Sequence, residues 1–145
     1  MNSRESIYSA LFGLASANAD FKTTGRRLKH IEELDPSSFP AFFQVQVDED
    51  WKQDNGQLPP VGQLHVEWWV YVYGTDETQA HDIALNGLVD SVLASVGLPP
   101  NFNPDNQTIS GAVESVRLSG KIEYAEGAMA DRAFARVPLV IHLPG

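Results

Sequence analysis

The sequence contains no cysteine among its 145 residues, which excludes a disulfide framework and thiolate chemistry. Long apolar runs are also missing, and since a helix needs about 20 apolar residues to cross a bilayer, we expect no membrane span. Basic residues are scarce, with 10 Lys and Arg against 19 Asp and Glu and a net charge of −9. Proteins that wrap nucleic acid need clustered Lys and Arg for phosphate contacts, so this composition is not typical of them.

Little in the sequence points to catalysis. It has no Gly-rich phosphate loop after a strand and no GxSxG, HExxH or DxDxDG pattern. Its four histidines share no local spacing typical of metal ligands. A small enzyme that brings His65, His81 and His142 together with distant Asp residues stays open, and so does a divalent cation held by the acidic run at residues 48–50. We nevertheless expect no catalytic residues, no cofactor and no metal.

The most informative stretch is residues 61–73, which is β-branched and aromatic and lies between Pro60 and Gly74. Side chains alternate between the two faces of a strand. One face would carry Leu64, Val66, Trp68, Val70 and Val72. The other would carry His65, Glu67, Trp69, Tyr71 and Tyr73. The pattern predicts a long central strand with an aliphatic inner face and an aromatic, partly polar outer face.

Helical periodicity predicts two helices, at residues 3–17 and 76–96. The first would be capped by Asn2, with Glu5 completing a capping box. The second would end at Gly97, because glycine is favoured just after a helix. The broad apolar face of this second helix would include Ala80, Ile83, Ala84, Leu85, Leu88, Val89, Val92 and Val96.

Shorter strands and one long loop complete the prediction. Strands are predicted at residues 27–31, 39–47, 112–124 and 133–143. In the strand at 112–124, the side chains predicted to face the core are Val116, Leu118, Ile122 and Tyr124. Pro138 removes one ladder hydrogen bond from the last strand, which favours an edge or a bulge. Residues 48–60 are polar and rich in turn formers, which predicts a long loop or an extended hairpin tip.

These elements predict a single α+β domain over residues 1–145. It would have two layers: a four- to five-stranded, mostly antiparallel sheet with two helices packed on one face. The opposite face would then be left bare with its aromatic side chains. A large exposed aromatic surface usually marks a contact with another chain.

The succession of segments, more than any single motif, is distinctive. It comprises RESIYSALF at residues 4–12, RRL at 26–28, FPAFF at 39–43, LHVEWWVYV at 64–72, ALNGLVD at 84–90, VESVRLSGKIE at 113–123 and FARVPLVI at 134–141. This order resembles the tail terminator proteins of long-tailed bacteriophages, also called tail completion or minor tail proteins.

The resemblance implies a virion structural protein, assembled in the host cytoplasm, at the head-proximal end of the tail. It implies a hexameric ring that stops polymerisation of the tail tube and offers the surface for head–tail joining. Its partners would be further copies of itself, the major tail tube protein and a head completion or connector protein. DNA would pass through the lumen without specific binding, and no catalysis is implied.

A ring needs two different complementary patches on each subunit. Our candidate for the subunit interface is the outer sheet face with Trp69, Tyr71, Tyr73, Arg117 and Lys121. Our candidate for contact with the tail tube is the loop with Asp48, Glu49, Asp50, Trp51, Lys52 and Asp54. The basic cluster Arg26, Arg27 and Lys29 fits lumen, interface or plain surface equally. The alternative function is a small non-catalytic binding module whose aromatic sheet face holds a peptide or small ligand in a pocket near Trp69 and Tyr71.

Overall fold

The computed structural model describes residues 3–53, 56, 60–74, 81–126 and 131–144. Its helices are α1 (Arg4–Ala17) and α2 (His81–Ala94), and short 3-10 turns lie at Ile31–Glu33, Pro36–Ser38 and Pro104–Thr108. Its strands are β1 (Thr23–Gly25), β2 (Ala41–Lys52), β3 (Val61–Tyr73), β4 (Ser115–Leu118), β5 (Glu123–Glu126) and β6 (Arg132–Leu143). The predictions for Asn2, for Asp54 and for the start of the second helix at residues 76–80 lie outside the described residues.

The six strands form one sheet in the order β1-β2-β3-β6, and β6 then pairs with both β4 and β5. Only the contact between β1 and β2 is parallel. The α+β class and the mostly antiparallel sheet are therefore confirmed, with six strands where four or five were predicted. The central strand β3 has the predicted bounds, because its alternating pattern is strong and its flanking Pro and Gly end it on both sides.

Both helices pack on the same face of the sheet, as predicted. The core between the layers includes Leu11 and Ala15 of α1, Leu85 and Val89 of α2, and Trp68 of β3. The aliphatic face of β3 is fully buried in this core. This side is called the helix face below, and the opposite side the outer face.

The helix face also contains a polar contact that sequence patterns do not reveal. The amide of Gln44, 1% exposed, donates from Nε2 to the carbonyl oxygen of Tyr8 at 2.9 Å. Its Oε1 accepts from the indole N–H of Trp68 at 3.0 Å. Since buried polar groups are costly unless they are paired, this glutamine links α1, β2 and β3 with its hydrogen-bonding groups satisfied.

Helix α1 is capped by Ser3, one residue after the predicted cap. The Ser3 hydroxyl accepts from the backbone N–H of Ser6 at 3.1 Å, which satisfies one of the free donors of the first turn. Glu5 points to Arg26 instead and forms an ion pair with it. Serine was thus the residue with suitable capping chemistry one position later than expected.

Gly97 ends α2 as predicted. Its φ is +68°, and the N–H of Leu98 donates to the carbonyl of Leu93 at 3.0 Å while the N–H of Gly97 donates to Ala94 at 3.1 Å. These two bonds form a Schellman cap, which needs a left-handed residue. The predicted apolar face was too wide, however, because Ile83 is 70% exposed and Ala84 is also exposed.

Strand β2 is longer than predicted, because residues 48–52 continue it instead of starting a loop. They pair with β3, from Asp48 opposite His65 to Lys52 opposite Val61. A β-bulge at Val47 precedes them, where the register shifts between Gln46 and Asp48. One strand residue without a counterpart reverses which side chains face each way. Beyond the bulge, even-numbered side chains therefore lie on the outer face.

The C-terminal strands also differ from a simple hairpin. The predicted strand at 112–124 is split into β4 and β5, which pair with the two ends of β6 and leave a break at 119–122. The N–H of Ser119 donates to the carbonyl of Pro138 at 2.9 Å. In a strand, the N–H and C=O of one residue point to the same neighbouring strand. Since the C=O of Pro138 points to Ser119, the N–H that proline lacks would have pointed to this break as well. Tyr124 on β5 lies opposite Ala135 and therefore on the helix face, as predicted, but it is 47% exposed there and not part of the core.

The predicted strand at 27–31 is also wrong. The strand lies earlier, at Thr23–Gly25, where it pairs in parallel with Ala41–Phe43 of β2. Ile31 begins a 3-10 turn and is buried against the outer face. The propensity signal at 27–31 was weak, and the pairing with β2 that defines β1 is not local in sequence.

Candidate functional site

The side of the sheet at β2 carries a group of acidic side chains. Asp48 and Asp50 lie on the outer face beside His65, whose Nε2 is 3.9 Å from Asp48 Oδ1 and 3.4 Å from Asp50 Oδ2. With Val47 and Glu67 they line a shallow cleft of about 280 Å³, which Ser119 and Pro138 close on the far side. The cleft is thus acidic and open to solvent.

Glu49 and Trp51 lie on the other side of the same strand, toward α1. Glu49 accepts hydrogen bonds from Nε of Arg4 at 2.9 Å, from the hydroxyl of Tyr8 at 3.0 Å and from the indole N–H of Trp51 at 3.0 Å. Arg4 also lies over the Trp51 ring, 5.7 Å from its centroid. The acidic run at 48–50 is therefore divided between two faces, because strand side chains alternate, and its three carboxylates do not converge on one cation.

The hydrogen bonds to Glu49 change its acidity and that of Tyr8. Burial raises the pKa of Glu49, but the hydrogen bonds from Trp51, Arg4 and Tyr8 outweigh this effect, and the pKa lies below its usual value. Burial, together with the nearby carboxylate, raises the pKa of the Tyr8 hydroxyl. Glu49 thus fixes the end of β2 to α1 as a charged acceptor.

The aromatic part of the outer face is covered by the chain itself. Residues 31–39, called the cover segment here, place Ile31, Leu34 and Phe39 over the sheet. The sheet supplies Ala41, Phe43, Trp69, Tyr71, Tyr73 and Phe134. Together they form a second hydrophobic core, so the prediction that this face lies bare is wrong. The cover segment has no helical or strand periodicity, and its role was missed for that reason.

Polar contacts hold the cover segment in place. The hydroxyl of Tyr71 donates to the carbonyl oxygen of Lys29, two residues before the cover segment, at 2.8 Å, and burial raises the pKa of Tyr71 to about 12. Arg132 lies over the rings of Phe39 and Tyr73, at 5.6 and 5.4 Å from their centroids. Arg132 also donates to the carbonyl of Leu34 at 3.1 Å. The cover segment is therefore a packed part of the fold.

The predicted interface residues consequently divide into two groups. Tyr71 is 3% exposed, and Trp69 and Tyr73 are half-buried, so a partner that contacts all three rings would first have to displace the cover segment. Arg117 and Lys121 are exposed, at β4 and just after it. Within the described ranges neither forms an ion pair. These two cations stay candidates for a subunit contact.

The middle of the outer face contains an ion network that the sequence did not reveal. Arg136 on β6 donates to Glu67 on β3 and, at 2.7 Å, to Glu123 on β5. The hydrogen bonds to Glu123 and Glu67 raise the pKa of Arg136. The three residues of this ion network are distant in sequence, and only the pairing of β3, β6 and β5 brings them together.

Comparisons with known proteins add no identification. No protein-family model matches the chain, and no curated protein matches it. Across the described residues, no group of three or more His, Asp or Glu is placed to hold a metal ion. No helix in the part of the chain that the structure describes is long and apolar enough to cross a membrane.

In the basic cluster, Arg26 bridges Glu5 and Gln46, which gives it a structural contact between α1 and β2.

Proposed function

We propose that this chain is a phage tail terminator, a structural protein that forms a ring on the head-proximal end of the tail tube. The ring stops tube polymerisation and offers the surface to which the head completion or connector protein binds. Its partners are further copies of itself, the major tail tube protein and that head-side protein. DNA passes through its lumen without specific binding, the protein resides in the virion tail, and no catalysis is involved.

The observation that supports this proposal most is the difference between the two sides of the sheet. The β2 side presents the carboxylates of Asp48 and Asp50, and the β4 side presents the cations of Arg117 and Lys121. A ring is built from a head-to-tail contact between two unlike patches. Opposite charges on opposite sides of one subunit favour such a contact, while two like sides repel each other.

The overall acidity is compatible with a channel for DNA. With a net charge of −9, the chain offers few sites to which phosphates would adhere. The contact with the tail tube is assigned to the end of β2. In this proposal Asp48 and Asp50 belong to the subunit contact, while Glu49, Trp51 and Lys52 of the predicted tube-contact residues lie at the end of β2 and remain available to the tail tube. Asp54 lies outside the described residues.

The cleft beside His65 favours a second candidate function, a small non-catalytic binding module. Its lining is acidic, with Asp48, Asp50 and Glu67, so a bound group would be cationic. Neither Trp69 nor Tyr71 lines this cleft, and the pocket predicted beside these two rings is instead filled by the cover segment.

The test combines solution mass with an assembly assay. Light scattering at low and high protein concentration should give a mass near six subunits, with rings visible by negative-stain microscopy. Adding the chain to tail tube protein from the same phage genome should yield capped tubes of limited length. A protein that stays monomeric, and that leaves tube length and tube ends unchanged, would contradict the terminator function and favour the binding module.

A further inference from the structure

We infer that successive copies of this chain join by extending the sheet, with the free edge of β2 in one copy paired antiparallel to β4 of the next. This inference specifies the subunit contact and rests on the proposed function. Both edges belong to one sheet, which would then continue through every subunit of the ring.

The first edge is the second half of β2. Strand β1 pairs with β2 only over Ala41–Phe43, and from Gln46 to Lys52 the described chain supplies no strand on that side. Most of these side chains are exposed. In an antiparallel strand, alternate residues direct their N–H and C=O groups away from the existing partner. This stretch therefore offers a row of backbone donors and acceptors to another strand.

The second edge is β4. Strand β4 pairs with β6, and in the described residues no strand lies on its other side. Its direction is suitable: β2, β3, β6 and β4 are each antiparallel to the next, so β4 runs opposite to β2. A second copy in the same orientation would place its β2 antiparallel to this β4, and the alternation would continue across the contact.

The two edges also lie at the same level of the sheet. One row of opposed residues runs through Arg117, Val140, His65 and Asp48. The next row runs through Ser115, His142, Gln63 and Asp50. Pairing β4 with β2 of the next copy therefore needs no shift along the strands. A repeated shift would produce a helical filament, whereas copies that stay at one level can close into a ring when the rotation between them completes a full turn.

The side chains match on the outer face. Beyond the Val47 bulge, the outward residues of β2 are Asp48 and Asp50, whose side chains are 67% and 79% exposed, and Lys52 at the very end of the strand. The outward residue of β4 in the same row is the exposed Arg117. Opposite charges directly across two strands stabilise their pairing, and like charges oppose it. The charges and the bulge would also discourage pairing between two β2 edges.

Disulfide cross-linking tests this contact directly, because the chain has no cysteine of its own. The double variant Asp48→Cys with Arg117→Cys places one thiol on each edge. Opposed residues of antiparallel strands have Cα atoms about 4.5–5.5 Å apart, which suits a disulfide. Within one chain the two positions are three strand spacings apart, about 14 Å, so they cannot bond to each other. Oxidation should therefore yield a ladder of linked oligomers that ends at the closed ring.

The control variant pairs Asp48→Cys with Ala125→Cys. Ala125 is exposed on β5, but it lies in the row of Ala41, far along the strand from Asp48. This pair should give no ladder, and each single cysteine variant should give dimers at most. Circular dichroism and thermal melts of every variant separate loss of contact from loss of folding.

Charge reversal gives an independent measurement that needs no oxidation. Arg117→Asp should raise the dissociation constant of each subunit contact by about fivefold, since it replaces an attractive cross-strand pair with a repulsive one. Assembly should then need a higher protein concentration. Combining Arg117→Asp with Asp48→Arg should restore assembly.

The outcomes distinguish this inference from the proposed function. If the protein caps tail tubes but the Asp48/Arg117 pair links no better than the Asp48/Ala125 pair, the edge contact is wrong and the terminator function stands. If the ladder forms but tube length is unaffected, the edge contact stands and the terminator function is wrong. If oxidised samples remain monomeric at every concentration, the inference is overturned.

Discussion

Replacing Gln44 with leucine should test whether the buried polar contact of the helix face contributes to stability. Leucine fills a similar volume but provides no acceptor for the indole N–H of Trp68, which donates to Gln44 at 3.0 Å. A buried donor without a partner costs about 1–3 kcal/mol. The carbonyl of Tyr8 lies within α1, so its loss of the second bond adds little. We expect a loss of about 2 kcal/mol in the free energy of unfolding and a fall in Tm of about 4–8 °C.

Urea unfolding followed by tryptophan fluorescence measures this change. Gln46→Leu is the matched control, since it makes the same substitution on the same face of β2 at an exposed position, where it removes only a solvent-exposed hydrogen bond from Arg26. We expect it to change stability by at most about 0.5 kcal/mol. Adding Trp68→Phe to Gln44→Leu removes the unpaired donor, so the two losses should not add fully. Equal losses for Gln44→Leu and Gln46→Leu would refute the reasoning.

Four further substitutions test other parts of the fold. Glu49→Gln removes a carboxylate whose folded pKa is lowered, and its contribution is present above the usual value of about 4.5 and lost as pH falls through the folded pKa. Thermal melts should thus show the variant less stable near neutral pH, with a difference that shrinks in acid; a constant difference would contradict the assignment. Gly97→Ala should cost at least about 2 kcal/mol, because φ is +68° and the new Cβ would lie 1.9 Å from the carbonyl oxygen of Asn103. Gly87→Ala, at an exposed position of α2, should instead stabilise by about 0.5–1 kcal/mol, and the same sign for both would be inconsistent with this account. Tyr71→Phe should lose about 1 kcal/mol in denaturant unfolding with its hydrogen bond to the loop carbonyl, and no loss would mean that this bond does not fix the cover segment.

The elements that could be predicted from the sequence are those with a strong local signal. Strand β3 alternates over its whole length and is bounded by Pro60 and Gly74, and the structure gives it the same limits. The end of α2 follows from Gly97, whose left-handed conformation few other residues adopt. In both cases the physical cause lies within a few residues of the feature, so a sequence pattern is sufficient.

The elements that could not be predicted depend on distant contacts. Residues 48–52 have the composition of a loop, yet they form a strand because β3 supplies backbone partners for them. The cover segment has no periodicity, and its burial results from the aromatic surface that it meets, including Tyr71 and Phe134. Arg117 and Asp48 each look like ordinary surface charges, and only the sheet order places them in one row on opposite sides.

The extra strand residue at Val47 determines on which face of the sheet every later side chain of β2 lies. Val47 is 51% exposed, so its own side chain is open to many replacements. Its deletion would be a different matter, because every side chain from Asp48 to Lys52 would exchange faces. Asp48 and Asp50 would then point toward α1, while Glu49 and Trp51 would point away from Arg4 and Tyr8. What must be kept at this position is therefore the number of residues, and their identity matters far less.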